Sequence, residues 1–352
     1  MKRAWHPRPH CILGGCLLLA AASCTTPHRA ALERFEYWEP QMGMPFRIVL
    51  YAPNPAAAQA AAKAAFNRIA ALNALLSDYE DDSELSKLSR TAGTGRFVPL
   101  SQDLWRVLTR AQAIARRSDG AFDVTVGPCV QLWRRARRQR ALPEPTRLAD
   151  ARKAVGYKHL TLDPRTRSAR LHAPGMRLDL GGIAKGYALD EALAVLRTRG
   201  LSSALVAAGG DLVVGNPPPG KKGWRIEVAP LDAPGAPPAR HVLLRNQALA
   251  TSGDLYQRVE IDGRRYSHIV DPHTGIGLTD HALVTVIADD GMTADALATA
   301  VSVLGPASGF RLVDKERHAA ALMARQPENA IELSETRAFR RFLEAGPRAT
   351  SQ

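Results

Sequence analysis

The 352-residue chain is 45% hydrophobic and 23% charged, a balance that can bury a sizeable core and that excludes a disordered or low-complexity protein. Its net charge is +13, of which Lys2, Arg3 and Arg8 supply three, leaving +10 downstream. Such an excess suits anionic ligands or an anionic membrane surface, but no nucleic-acid module surrounds the densest basic run, Trp133 to Arg140, so nucleic acid is not expected as a partner. The run reads instead as a solvated face or a docking surface.

Those first three cations precede an apolar run from Cys11 to Ala22, whose closing alanines lead into Ser23 and Cys24. A basic start, a short apolar stretch and small residues describe an export signal, and twelve apolar residues are too few to span a bilayer as a helix. The terminal cysteine makes the segment resemble a bacterial lipoprotein signal, with an ordinary cleaved signal as the alternative. The expected organisation is a signal peptide over 1–23, lipidation at Cys24, a tether over 24–40 and a single module over 41–345. The expected location is the periplasmic side of a bacterial membrane, reached through the N-terminal lipid. Loss of Cys11 and Cys16 with the signal leaves Cys129 as the free thiol, so no disulfide framework is expected. No later stretch reaches eighteen uninterrupted apolar residues, and no transmembrane helix is expected.

Downstream, Met42 to Ala52 reads as a strand ended by Pro-Asn-Pro, and Pro55 to Leu76 as a helix with Phe66, Ile69, Leu72, Leu75 and Leu76 at core-facing spacing. A polar turn comes next. A second amphipathic helix starts behind a serine cap and stops near Gly120. The segment MRLDL reads as a strand, GGIAKG as a loop, YALDEALAVLRTRG as a helix and SSALVAAGGD as a strand with a glycine turn. Two proline-rich loops, 216–223 and 230–240, interrupt the strands WRIEVA, HVLLR, ALATSG and YQRVEI. Asp262-Gly263 then signals a hairpin. ALVTVIA reads as a buried strand leading into the helix TADALATAVSVLG, Thr293 to Gly305, and a strand or turn and a short helix finish the chain. Hairpins mixed with helices predict an α+β fold: one module of mixed, largely antiparallel sheets and packed helices.

Three stretches carry chemistry. In DLGGIAKG a glycine pair between strand and helix lets the backbone approach a ligand, and a helix N-terminus with Lys185 attracts anions; the spacing is neither a phosphate-binding Walker loop nor a dinucleotide fingerprint, and taken alone the stretch reads first as a structural tight turn. In SHIVDPHTG two histidines, an aspartate and a threonine surround an Asp-Pro turn, a setting for proton exchange near neutral pH or for a well-capped turn; no zinc spacing is present. In TADALATA, Thr293 reads as the N-cap, with Asp295 in the first turn where the helix dipole favours a carboxylate. Asp295 and Thr299 lie four residues apart on one face, so carboxylate and hydroxyl can point together at a hard cation, although Thr299 can also bond back to a carbonyl one turn earlier.

In chain order, MGMPF, LLSDYEDDSEL, DGAFDVTVGP, LDLGGIAKGYALD, AAGGDLVVG, TSGDLYQRVEIDGRRYSHIVDPHTG and ADALATA together resemble the ApbE family, the bacterial FAD:protein FMN transferases. The resemblance implies an FAD site lined by Met42, Tyr79, Ala121, Phe122, Asp123, Asp179, Lys185 and Val270. It implies magnesium held by Asp295, Thr299 and the backbone carbonyls of Gly182 and Ala298. It also implies a functionally important His268, here expected to act as general base with Asp271 as its orienting group. The implied reaction transfers FMN from FAD to a Thr or Ser hydroxyl of an exported or membrane redox subunit bearing a Ser/Thr-Gly-Ala-Thr type motif, releasing AMP. A FAD pyrophosphatase and a flavin carrier without catalysis share the same site features and stand as alternatives. Met44 departs from the threonine that many members carry in the first motif.

Overall fold

Asn54 and Ser101 begin helices for the same reason: each side chain accepts a backbone N–H from the first turn, of Ala57 at 2.9 Å and of Leu104 at 3.2 Å, satisfying a donor that the helix cannot. The structure, a computed structural model, describes Met1 and residues 31–344 except 233–235, 237–238, 255–256 and 328–329. The expected signal segment, Cys24 and the end of the module at 345 lie outside the described residues. All the described helices and strands belong to the unit that begins at Leu32.

The helices are α1 (Pro55–Leu76), α2 (Glu84–Ser89), α3 (Gln102–Arg117), α4 (Gly127–Gln139), α5 (Pro145–Lys153), α6 (Ala184–Thr198) and α7 (Gly291–Asp314). The main sheet contains β1 (Glu33–Gln41), β2 (Met44–Ala52), β3 (Ala204–Ala208), β4 (Asp211–Val214), β5 (Gln247–Gly253), β6 (His281–Ala288), β7 (Ala320–Gln326) and β8 (Glu332–Glu335). These eight strands lie side by side in chain order, each antiparallel to its neighbour. All six helices from α1 to α6 are inserted between β2 and β3, and α7 between β6 and β7. Smaller hairpins pair Trp224–Val228 with Arg240–Leu244 and Arg258–Ile261 with Arg264–Ser267. The α+β expectation, with largely antiparallel sheets, matches this architecture.

Strand periodicity divides the core in two. Ile48, Leu50, Val206, Val213, Ala248 and Val286 face the helices α1, α6 and α7, while their neighbours Val49, Leu205, Val214, Leu249 and Ile287 face the Trp224 hairpin. Successive side chains on a strand point to opposite faces, so a slip of one residue would exchange the two cores and is strongly disfavoured. Leu297 and Val301 of α7 are fully buried in the first core, each contributing about 1.5–3 kcal/mol. α7 is long and apolar enough to pass a length-and-hydropathy test for a membrane span, yet its first half is a core helix. It kinks at Gly305, φ 69°, where Pro306 restarts the helix.

Several boundaries differ from the sequence reading. Residues 33–40, expected as tether, belong to β1, whose hairpin with β2 turns through Met42 and Gly43 at φ 50° and 74°, the geometry of a tight twisted hairpin. MRLDL is not a strand: Arg177 makes a single isolated parallel bridge to Val126. α6 starts at Ala184, which moves Lys185 from the expected loop into the first helical turn. α7 is capped by Asp290, which accepts the Thr293 N–H at 2.7 Å, so Thr293 lies inside the helix it was expected to cap.

Candidate active site

The site begins where α6 and α7 cross. A Cβ on Gly186 would lie 2.1 Å from the Gly291 carbonyl oxygen, and one on Gly291 would lie 2.6 Å from the Gly186 oxygen; only glycines let the two backbones touch. Each helix then caps the other. Asp190 on α6 accepts the N–H groups of Gly291 and Met292 at 2.7 and 2.9 Å, and Asp295 on α7 accepts the Gly186 N–H at 3.0 Å. These N–H groups belong to first turns and have no intrahelical acceptor. Burial, with Asp290 as a neighbouring negative charge, pushes the Asp190 carboxyl up to about 7.

The crossing delivers Asp295 to Lys185. The Lys185 ammonium contacts Asp211 and lies 3.6 Å from Asp295 Oδ1. Asp211 is buried and is fixed by the Thr251 N–H at 2.9 Å. It follows Gly209 and Gly210, with φ of 56° and 92°, values that favour glycine. A Cβ on Gly209 would lie 2.9 Å from Met44 Sδ, so Met44, the departure in the first motif, covers this corner.

Gly182 meets α7 one turn further on: a Cβ there would lie 2.8 Å from Thr299 Oγ1 and 3.3 Å from Phe122. Phe122, Gly182 and Thr299 are therefore packed together, with Asp295 on the same face of α7. The Ala298 carbonyl, within the regular part of α7, accepts the Ser302 hydroxyl at 2.9 Å. Ser302 makes the back-bond that was considered for Thr299. The side-chain donors on this face of α7 are a carboxylate and a hydroxyl, oxygen ligands suited to a hard cation such as magnesium. Among the described residues no group of three or more His, Cys, Asp or Glu has metal-holding geometry, so a cation here would draw its remaining ligands from a bound phosphate or water.

A second constellation surrounds Asp179. Its Oδ1 accepts the Gly181 N–H at 2.8 Å and its Oδ2 accepts Arg134 Nη2 at 2.8 Å. Arg134 also pairs with Asp78 and lies 4.1 Å from the centroid of the Tyr79 ring. Burial first and then the Asp78 charge push the Asp179 carboxyl above the usual range, with Arg134 opposing. Ala121 is buried beside Phe122. Asp123 Oδ1 accepts both the N–H and the hydroxyl of Thr125, at 2.8 and 2.7 Å, and its burial raises its pKa; it shapes the turn that presents Phe122.

His268 faces the Gln257 carbonyl through Nδ1 at 3.1 Å. A carbonyl only accepts, so Nδ1 carries the proton and Nε2 the lone pair. Burial drives the imidazole pKa down to about 4, with Arg137 and Lys185 also lowering it, so the ring is neutral near pH 7. Asp271 is not its orienting group. That carboxylate accepts the His273 N–H at 2.9 Å and the Thr274 hydroxyl at 3.1 Å, closing the DPHTG turn on itself; the Gln257 carbonyl orients His268 instead. Val270 is buried with Trp133 and Tyr266, and Trp133 donates to the Gly275 carbonyl at 2.8 Å, tying the loop to α4.

The structure thus brings together Gly182, Lys185, Asp295, Thr299 and Phe122, and separately Tyr79 and Asp179. Met42 lies in the hairpin turn two residues from Met44. Asp190, Asp211, Gln257 and Arg134 were not singled out from the sequence. Asp211 could have been, because it ends the AAGGD motif. Arg134 lies in a basic run that resembles a solvated face, and only the fold reveals its partners.

Comparison with known proteins identifies the family and the fold. The model of the ApbE family matches residues 42–323. The chain is 32% identical over 279 residues to the FAD:protein FMN transferase of Haemophilus influenzae, covering 78% of this chain and 80% of that one. It is 33% identical over 307 residues to the FAD:protein FMN transferase of Treponema pallidum, covering 82% and 83%. The flavin transferase ApbE from Vibrio cholerae superposes with a TM-score of 0.79 at 28% identity, over 89% of this chain and 100% of that one. Pseudomonas stutzeri flavinyl transferase ApbE, in its apo form, superposes with 0.78 at 29% identity, over 90% and 99%.

Proposed function

The chain belongs to the ApbE family, and from that premise we propose that it is an FAD:protein FMN transferase that moves the FMN half of FAD onto a Thr or Ser hydroxyl of an acceptor protein and releases AMP. The observation that carries the reading is the convergence of Gly182, Lys185, Asp295 and Thr299 at the crossing of α6 and α7.

FAD enters as substrate. The glycine corner lets its diphosphate approach the backbone; Lys185, held between Asp211 and Asp295, offsets part of their charge, and a cation bound beside them would supply the positive potential that the diphosphate needs. Asp295, the Thr299 hydroxyl and the carbonyls of Gly182 and Ala298 are the groups that would hold magnesium. When bound, that ion neutralises charge on the diphosphate oxygens. The acceptor hydroxyl oxygen attacks the FMN-side phosphorus, the anhydride bond to the AMP phosphate breaks, and AMP leaves with the electron pair. The hydroxyl proton passes to Nε2 of His268, which burial keeps in its neutral, accepting form. Positioning and electrostatics carry most of the acceleration in phosphoryl transfer.

The acceptors fitting this reading are exported or membrane redox subunits with a Ser/Thr-Gly-Ala-Thr type segment. An N-terminal lipid on Cys24 would hold the enzyme on the periplasmic side of the membrane near them; the support for this placement is the signal-like composition of residues 1–23.

Incubating the purified protein with FAD, magnesium and an acceptor carrying that segment, then weighing the acceptor, tests the proposal. Covalent FMN with AMP release is expected. Free FMN and AMP would indicate a pyrophosphatase instead, and intact FAD a carrier.

A further inference from the structure

Arg134 lies in the most basic stretch of the chain, yet its side chain is 16% exposed. One guanidinium joins three segments: α4, which carries it; the turn after α1, through Asp78 and Tyr79; and the glycine turn before α6, through Asp179. Asp78 and Asp179 together neutralise it, so it is poorly suited to attract a phosphate. Its remaining property is shape, a planar fork that bonds carboxylates along its edge while its face covers an aromatic ring.

Tyr79 is 72% exposed. The guanidinium occupies one side of the ring and the other side is open. A tyrosine free to rotate loses side-chain entropy when a ligand stacks on it, whereas one already held loses little. The same guanidinium fixes the carboxylate that orders the Gly181 N–H, so the ring and the glycine turn keep a constant relation before any ligand arrives.

We propose that Arg134 is a positioning residue for the nucleotide: it braces Tyr79 from behind so that the open face receives an aromatic ring of FAD by stacking, and it locks the Asp179 turn in register with that ring. The inference rests on the reading of this site as one for FAD.

Binding of FAD to the full-length protein, followed by flavin fluorescence, tests it. Arg134→Ala is expected to raise Kd about tenfold, roughly 1.4 kcal/mol, while kcat at saturating FAD stays within about twofold. Arg134→Lys keeps the charge without the fork or the plane and is expected to behave like the alanine variant. In a Tyr79→Ala background, replacing Arg134 is expected to cost clearly less than in the wild type, because only its hold on the Asp179 turn is then left to lose. An unchanged Kd in Arg134→Ala, restoration by lysine, or full additivity with Tyr79→Ala overturns the inference while wild-type FAD binding still stands. A wild-type protein that binds no FAD overturns the reading of the site and the inference together.

Discussion

The crossing of α6 and α7 is assembled from backbone, whereas the rim around Asp179 and His268 is assembled from side chains and loops. At the crossing, Gly186 and Gly291 touch, and Asp190 and Asp295 exchange caps across the contact. At the rim, Arg134 collects Asp78, Tyr79 and Asp179 from distant segments, and His268 depends on a carbonyl eleven residues earlier. The two regions therefore tolerate change unequally. A backbone contact has no slack, because packed interiors respond to a single added carbon; a rim built of side chains can lose one member and keep its fold.

Gly186→Ala breaks the first region most severely. Its Cβ would lie 2.1 Å from a backbone oxygen, with no flexible group to yield, and a stability loss of about 3 kcal/mol, the upper end for overpacking, is expected in chemical denaturation. A loss under about 1 kcal/mol would show that the two helices can separate without penalty.

Asp295→Asn comes next. It preserves the shape and a hydrogen bond to Gly186 but removes the negative charge, and transfer should fall by about 10²–10³, with stability changed by about 1 kcal/mol or less. Steady-state rates and a melting curve on the same preparation separate the two effects.

At the rim, His268→Ala should slow transfer about 10²-fold and leave the melting temperature near that of the parent. Asp271→Asn should change the rate less than about twofold, since Asp271 closes its own turn and does not orient His268. Equal losses in the two variants would restore Asp271 as the partner of the base.

The pH dependence sharpens the same contrast. His268 titrates near 4 in the folded protein and near 6.5 when unfolded. Its contribution to stability is therefore complete above about 6.5 and is lost as pH falls through 4. Acidification over that interval should lower the wild-type melting temperature more than that of His268→Ala. An acid limb in kcat/KM near 6.5 that disappears in the variant would contradict the burial argument.

Much of the architecture could be read from the chain because it follows local rules. Asn54 followed by Pro55 starts α1, and Asp262-Gly263 turns its hairpin with φ of 51° and 72°. The Asp295 to Thr299 spacing places both groups on one face of a helix whatever that helix packs against. What escaped depended on distant partners. Asp290 and Thr293 are both acceptable caps, and the choice was made by the approach of α6, which claims the N–H groups of Gly291 and Met292. Asp271 stands three residues from His268 but bonds forward, into its own turn. Arg134 sits among arginines, and its burial is set by Asp179, 45 residues later.

On the proposed function, Asp295, Thr299 and the glycine corner form one magnesium-assisted site for transfer of FMN from FAD. The most direct test is the rate of covalent FMN attachment to an acceptor as magnesium is titrated, in the wild type and in Asp295→Asn. A saturable magnesium dependence in the wild type, shifted to much higher concentration or abolished in the variant, is the predicted result; identical titrations in the two proteins, or full attachment under chelator, would contradict it.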